Sequence, residues 1–271
     1  MLLFPNAKIN LGLHITAKRP DGYHDIETVF YPVPLCDALE AVKSETLSFS
    51  LSGLPLDATA DDNLVMKAYR LMAARYDVEP LEIYLRKTIP SGAGLGGGSA
   101  DAAFMLKLIN ELCSCGLSEM ELETIAAEIG ADCPFFIRNK PVVATGRGDV
   151  FEPVALSLKG YYLYIIKPPF TVSTREAYAS VKPCKPSFSL ASLTDIHIGE
   201  WRHCLVNDFE PSVFAKYPAI GEIKEQLYAL GAEYAAMSGS GSSVFGVFKN
   251  TISSEIVFKH ESTKFCIEIK S

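Results

Sequence analysis

Residues 81–106 place an alternating stretch, LEIYLRK, directly before a loop holding Gly92, Gly94, Gly96, Gly97 and Gly98, and then Ala-rich sequence. Glycine costs roughly 0.5–1 kcal/mol more than alanine in a regular element. These five glycines are more than a tight strand-to-helix turn requires. The loop is therefore expected to bring backbone N–H groups against an anion, with the positive end of the following helix behind them. Ser99 stands where a hydroxyl could reach the same anion. Asp101 reads as a carboxylate in the helix's first turn, favourable to its dipole.

Two better-known loops compete. Gly92-x-Gly94-x-x-Gly97 matches the dinucleotide fingerprint literally, but that fingerprint needs a second strand ending in Asp or Glu about 20 residues on. Here one helical pattern follows another, and Glu111 falls inside the first. A Walker loop needs Gly-Lys-Ser/Thr at its end, and no lysine lies between Ile89 and Phe104.

The rest of the chain supplies the frame. AKINLGLHI alternates, with Ile9, Leu11, Leu13 and Ile15 on one strand face and Lys8, Asn10, Gly12 and His14 on the other. Pro20-Asp21-Gly22 signals a turn, Ile26–Val33 a returning strand and Leu47–Gly53 another. Asp61 and Asp62 precede helical spacing at Val65, Ala68, Tyr69 and Met72, and an Asp suits the N-cap. Ala102, Met105, Leu106, Ile109 and Leu112 mark the helix after the glycine loop. Ser118 to Glu121 reads as a capping box for the next helix, which Gly130 ends. Asp132, Pro134 and Phe135–Ile137 follow. The first half thus reads as α/β.

Gly146 to Asp149 is a turn-like break, and a second unit is expected beyond it. Tyr161–Pro168 reads as a strand, Lys182–Asp195 as a Pro/Ser-rich surface loop, and Ala219–Leu230 as a helix closed by Gly231. A second glycine loop, Ser238–Ser242, falls between two short strands.

Composition narrows the function. The 271 residues suit one large domain or two ordinary ones. A formal net charge of −7 without a basic stretch disfavours a nucleic-acid partner. No apolar run is long enough to span a bilayer, and MLLFPNAKINL lacks the basic start of a signal peptide. The seven scattered cysteines, with a lone Cys113-x-Cys115, suit reduced thiols in a cytoplasmic protein. His14, His197, His203 and His260 show no ligand spacing.

PSGAGLGGGSADAA resembles the phosphate loop of the galactokinase, homoserine kinase, mevalonate kinase and phosphomevalonate kinase (GHMP) superfamily. AKINLGL, GADCPFF and MSGSGSSVF stand in the same order as its other blocks, so the resemblance spans nearly the whole chain. With RPDGYHDIETVF added, the pattern is most similar to the superfamily's kinases of a cytidylated methylerythritol. The resemblance implies an α+β fold of two domains: a ribosomal-protein-S5-domain-2-like unit over 1–150 that binds ATP, and a ferredoxin-like unit over 151–271. Its final strand could return to the first unit. The site would lie in the cleft between them.

The reaction implied is transfer of the ATP γ-phosphoryl to the 2-hydroxyl of 4-diphosphocytidyl-2-C-methyl-D-erythritol, in non-mevalonate isoprenoid biosynthesis, with Mg2+ accompanying ATP. By the same resemblance Lys8 and Asp132 form the catalytic pair. ATP is held by Asn63, near the adenine, and by Pro90, Ser91, Gly92, Ala93, Gly94, Leu95, Gly96, Gly97, Gly98, Ser99 and Ala100. The substrate meets Asn10, Tyr23, His24, Thr174, Tyr178, Gly239, Ser240 and Gly241. The loop departs from the Ser-Ser-Asp or Ser-Ser-Asn common in those kinases, having Ser99-Ala100-Asp101, so no magnesium ligand is assigned. The partners implied are small molecules only, in a monomer or weak homodimer.

The residue types suit this chemistry. Phosphoryl transfer needs positioning and charge stabilisation more than covalent help. Asp132 would accept the hydroxyl proton and Lys8 would neutralise the moving phosphoryl group; the plain alternative is a structural ion pair. Tyr23 and Tyr178 are either half-buried aromatics or faces for a flat pyrimidine, and His24 either caps its turn or reads the base. Other functions stay open: a mevalonate or homoserine kinase, an RNA-binding S5-like protein, and a nicotinamide-dependent oxidoreductase.

Overall fold

The structure is a computed structural model that describes residues 1–56, 62–186, 188–252 and 257–270. In chain order the strands are β1 (Leu2–Leu3), β2 (Asn6–Lys18), β3 (His24–Cys36), β4 (Ala38–Lys43), β5 (Ser48–Gly53), β6 (Leu81–Lys87), β7 (Val142–Thr145), β8 (Val150–Pro153), β9 (Tyr162–Lys167), β10 (Tyr234–Met237), β11 (Val244–Phe248) and β12 (Thr263–Glu268). The helices are α1 (Leu64–Ala73), α2 (Gly97–Leu112), α3 (Glu119–Ile129), α4 (Phe135–Arg138), α5 (Thr174–Ser180), α6 (Trp201–Cys204), α7 (Glu210–Lys216) and α8 (Pro218–Ala229).

These form two compact units that interleave along the chain. The first is Met1–Lys8, Pro34–Ser91 and Gly96–Lys140; the second is Ile9–Val33, Gly92–Leu95 and Pro141–Ser271.

The first unit holds a sheet in the order β1-β4-β6-β5, with β5 parallel to β6 and the other pairs antiparallel. Leu39, Ala41, Leu81, Ile83 and Leu85 are buried on it, each large side chain contributing about 1.5–3 kcal/mol. α1 packs on α2, burying Val65, Tyr69 and Met72 with Met105, Leu106 and Ile109. The α1 N-cap is Asn63, whose side chain accepts from the Val65 amide at 2.9 Å. It is one residue past the expected aspartates, and Asp61 lies outside the described residues. α3 carries the expected capping box, with Ser118 N–H donating to Glu121 at 2.8 Å.

The second unit holds two sheets, ordered β2-β3-β7-β8 and β10-β11-β9-β12. The latter is wholly antiparallel, with its first and third strands central and the helices α5–α8 between β9 and β10. That is the ferredoxin-like arrangement. Its last strand, β12, pairs with β9.

β2 is buried on both faces: Lys8, Asn10 and His14 are nearly as enclosed as Ile9 and Leu11. Gly12 bulges at φ +69°, where a Cβ would come within 2.8 Å of Leu190. The Lys182–Asp195 stretch, whose Ser187 lies outside the described residues, is not wholly a surface loop. Leu190–Asp195 is a 3₁₀ turn that buries Leu190 and Leu193 and donates its first amide to Glu27 at 2.6 Å.

Candidate active site

In the first unit, Lys8 Nζ lies 3.5 Å from Asp132 Oδ2. The lysine is buried, and the Asp132 side chain retains 36% of its exposure. Asp132 sits in the turn that joins α3 to α4, where Cys133 N–H donates back to Gly130 at 3.1 Å. The carboxylate thus follows a helix end and precedes a proline, a fixed platform. Lys8 reaches the exit of the glycine loop. Gly96 has φ +71°, and a Cβ there would meet Phe136 at 2.9 Å and the Lys8 Cγ at 3.0 Å. Glycine at 96 is therefore required by backbone conformation and by the lysine stem.

α2 starts without a side-chain cap, leaving its first amides to other partners. Gly97, Gly98, Ser99 and Ala100 form its opening turn. Beside this turn, burial pushes the Cys133 thiol up to about 12. Pro90 and Ser91 lead into the loop. Asn63 is nearly buried and spends its side-chain oxygen on the α1 cap.

Asp101 does not serve the helix dipole as expected. It lies in the second turn, is 2% exposed, and accepts from Lys87 Nζ at 2.6 Å. Lys87 also donates to Asp37, whose other oxygen accepts the amides of Thr88 at 2.5 Å and Ile89 at 2.8 Å. The sequence reading missed this cluster. A signal existed: Lys87 shares parity with Leu81, Ile83 and Leu85, the buried face of β6.

In the second unit, Gly92–Leu95 meets the second glycine loop. Gly94 has φ +75°, and a Cβ there would stand 2.0 Å from the Ser238 carbonyl oxygen. Ser238 Oγ donates to the Gly94 carbonyl at 2.8 Å, and Ser243 N–H to the Ala93 carbonyl at 3.2 Å. A Cβ on Gly239 would lie 3.4 Å from Asn10 Oδ1. Asn10 Nδ2 donates to Thr28 Oγ1 at 3.0 Å, and Thr28 donates to the Gly12 carbonyl at 2.6 Å. Thr174 and Ser240 share a hydroxyl hydrogen bond at 3.1 Å. Gly241, at φ +91°, packs against Met237. The unit so gathers Asn10, Gly94, Thr174, Gly239 and Ser240. Asn207, also missed, donates to the Met237 and Gly239 carbonyls, both at 2.8 Å, and holds this loop.

The aromatics divide. His24 stacks on Tyr178 at 5.0 Å between ring centroids and 27° between planes, and Tyr178 meets Phe209 edge-on at 4.8 Å. Tyr23 is 60% exposed, beyond the half-buried state, with the Arg147 guanidinium 5.4 Å from its ring centroid.

The family description "GHMP kinases N terminal domain" matches residues 63–140 and "GHMP kinases C terminal" matches 190–259. The chain is 59% identical over 249 residues to the 4-diphosphocytidyl-2-C-methyl-D-erythritol kinase of Parabacteroides distasonis, covering 92% of each chain. It is 57% identical over 253 residues to the enzyme of that name from Bacteroides thetaiotaomicron, again covering 92% of each. A crystal structure of a 4-(cytidine 5'-diphospho)-2C-methyl-D-erythritol kinase superposes with a TM-score of 0.77 at 30% identity, covering 91% of this chain and 90% of that one. Methanococcus jannaschii mevalonate kinase matches at a TM-score of 0.70 and 12% identity over 99% of this chain and 98% of its own, a likeness of fold.

Proposed function

The chain belongs to the 4-diphosphocytidyl-2-C-methyl-D-erythritol kinase family, and on that premise we infer that it transfers the terminal phosphoryl group of ATP to the 2-hydroxyl of 4-diphosphocytidyl-2-C-methyl-D-erythritol. The products are the 2-phosphate and ADP, a step in isoprenoid precursor synthesis. The observation that carries the chemistry is the Lys8–Asp132 pair, 3.5 Å apart and built on a strand and a proline-bounded turn.

Asp132 accepts the hydroxyl proton as the oxygen attacks phosphorus. Lys8 offsets the negative charge that spreads over the transferring group, from a buried position where charge acts strongly. Pro90–Ala100 lines the triphosphate, with backbone amides of the glycine loop donating to it, and Asn63 lies toward the adenine. The cytosine is taken by Tyr23, His24 and Tyr178, and the substrate's phosphates and polyol by Asn10, Thr174 and Gly239–Gly241.

Among the described residues no three His, Cys, Asp or Glu side chains gather to hold a metal. Mg2+ would accompany ATP and offset the charge of its phosphates. We assign nucleotide binding chiefly to the 1–150 block, with 151–271 contributing Thr174, Tyr178 and the second glycine loop. We assign it to the cytoplasm as an enzyme of small molecules, monomeric or weakly dimeric and acting without a membrane; the net charge of −7 supports the absence of a nucleic-acid partner. Among the described residues no helix is long and apolar enough to cross a membrane.

A coupled ADP-release assay across the cytidylated alcohol, mevalonate and homoserine tests the reading. Turnover with the first alone is expected. A preference for either of the others overturns the substrate assignment.

A further inference from the structure

The ion cluster of Lys87, Asp37 and Asp101 lies in the first unit, where every one of the three is at most 3% exposed. It is separate from the Lys8–Asp132 pair and carries two carboxylates against one cation. Burying such a group is costly, and a buried ion cluster is weak ground for stability. Asp101 adds to that cost, because its Oδ1 is buried without a hydrogen-bond partner. An unsatisfied buried polar atom loses its water without gaining a partner. The arrangement therefore calls for a role other than strength.

Its geometry indicates one. Asp37 binds the amides of Thr88 and Ile89, the residues by which the chain enters the glycine loop. Asp101 stands on α2, one turn beyond the residues by which the chain leaves it. Lys87 Nζ joins the two carboxylates. The entry and exit also touch directly: a Cβ on Gly97 would come within 2.8 Å of Ile89 and 3.4 Å of Lys87 Nζ. The cation fixes how far apart the two ends of the loop stand.

We propose that Lys87 is a positioning residue for ATP, setting the spacing of the loop's two ends by tying Asp37 to Asp101. The role rests on the reading that the loop receives the ATP phosphates. Lys87 touches no reacting atom. Its loss loosens the amide cradle, so it weakens nucleotide binding and leaves the chemical step and the cytidylated substrate alone.

The test compares wild type with Lys87→Met, Asp101→Ala and Asp101→Asn as full chains. Kinetics are measured with each substrate varied, and a non-hydrolysable ATP analogue is titrated calorimetrically. Lys87→Met and Asp101→Ala should raise the KM for ATP and the Kd for the analogue about tenfold, with kcat and the KM for the cytidylated alcohol within about twofold. Asp101→Asn keeps an oxygen for Lys87 and should restore values near wild type. Unchanged nucleotide affinity in the first two, a loss confined to kcat, or an Asn variant no better than Ala overturns the proposal. If Lys87→Met fails to give a native near-ultraviolet dichroism spectrum, the Asp101 pair decides. A wild-type chain that does not bind the analogue instead overturns the ATP reading itself.

Discussion

At the scale of single residues, two carboxylates in one unit face opposite demands. Asp132 keeps solvent on one side and a lysine on the other, as a group that must take up and release a proton does. Asp132→Asn and Lys8→Ala should each leave a folded chain with kcat down at least about a hundredfold; near-normal turnover in pure Asp132→Asn would remove the catalytic assignment. Asp101 is enclosed instead. Burial raises its carboxyl to about 7, with Lys87 opposing and Asp37 adding to the rise. Its folded value exceeds that of an unfolded Asp, about 3.9, so the folded chain binds this proton more tightly. Stability from this group is therefore full below about pH 4 and is lost as pH rises through about 7. Asp101→Asn holds the neutral form permanently. Its urea midpoint should gain on wild type between pH 5 and pH 8; a gap that stays constant or shrinks contradicts the assignment. Lys87 itself was legible only as a parity violation, a cation at the buried register of LEIYLRK. Its partners come from Asp37 and Asp101, 50 and 14 residues away, a distance no local pattern spans.

At the scale of elements, glycines in one short loop do different work. Gly94 holds φ +75° and has the Ser238 carbonyl where its Cβ would go, whereas Gly98 is helical with only Leu64 at 3.6 Å. Gly98→Ala should stabilise the chain by about 0.5–1 kcal/mol through helix propensity. Gly94→Ala meets a backbone oxygen at 2.0 Å that cannot move without its loop, and it should destabilise by more than Gly98→Ala gains and weaken ATP binding. Urea denaturation of both, with nucleotide titration, checks the contrast; equal effects would remove the distinction. Elements with strong periodicity or capping were legible: β2, β6, α2, the α3 capping box and α8 all stand where the pattern puts them. Short elements were not. β7 and β8 are four residues each, too brief for alternation to register; β7 pairs with the long edge of β3, and β8 pairs with β7 in turn. The 3₁₀ turn at Leu190 hid in Pro/Ser-rich sequence, since its burial depends on Glu27 and Gly12 far away in the chain.

At the scale of the whole molecule, the chain order of motifs and the grouping of residues into compact units differ. The first unit holds the charged pair and the exit of the glycine loop, and the second holds the aromatic pair and the second glycine loop. The motif order was legible because each block has its own local signature. The interleaving was not, because Ile9–Val33 packs with residues more than a hundred positions later. This grouping predicts that variants separate by kinetic constant. Changes to Lys8 and Asp132 fall on kcat, as argued above. Tyr178 lies in the second unit, stacked on His24 and near-perpendicular to Phe209. A base stacked on an aromatic side chain gains about 1–3 kcal/mol, or roughly five- to 150-fold in affinity. Tyr178→Ala should therefore raise the KM for the cytidylated alcohol about tenfold, with kcat and the KM for ATP within about twofold. Tyr178→Phe retains the ring and should stay near wild type. Steady-state kinetics with each substrate varied decide the matter. A Tyr178→Ala variant whose loss is equal for both substrates would mark the ring as packing for the unit at large rather than a face for the base.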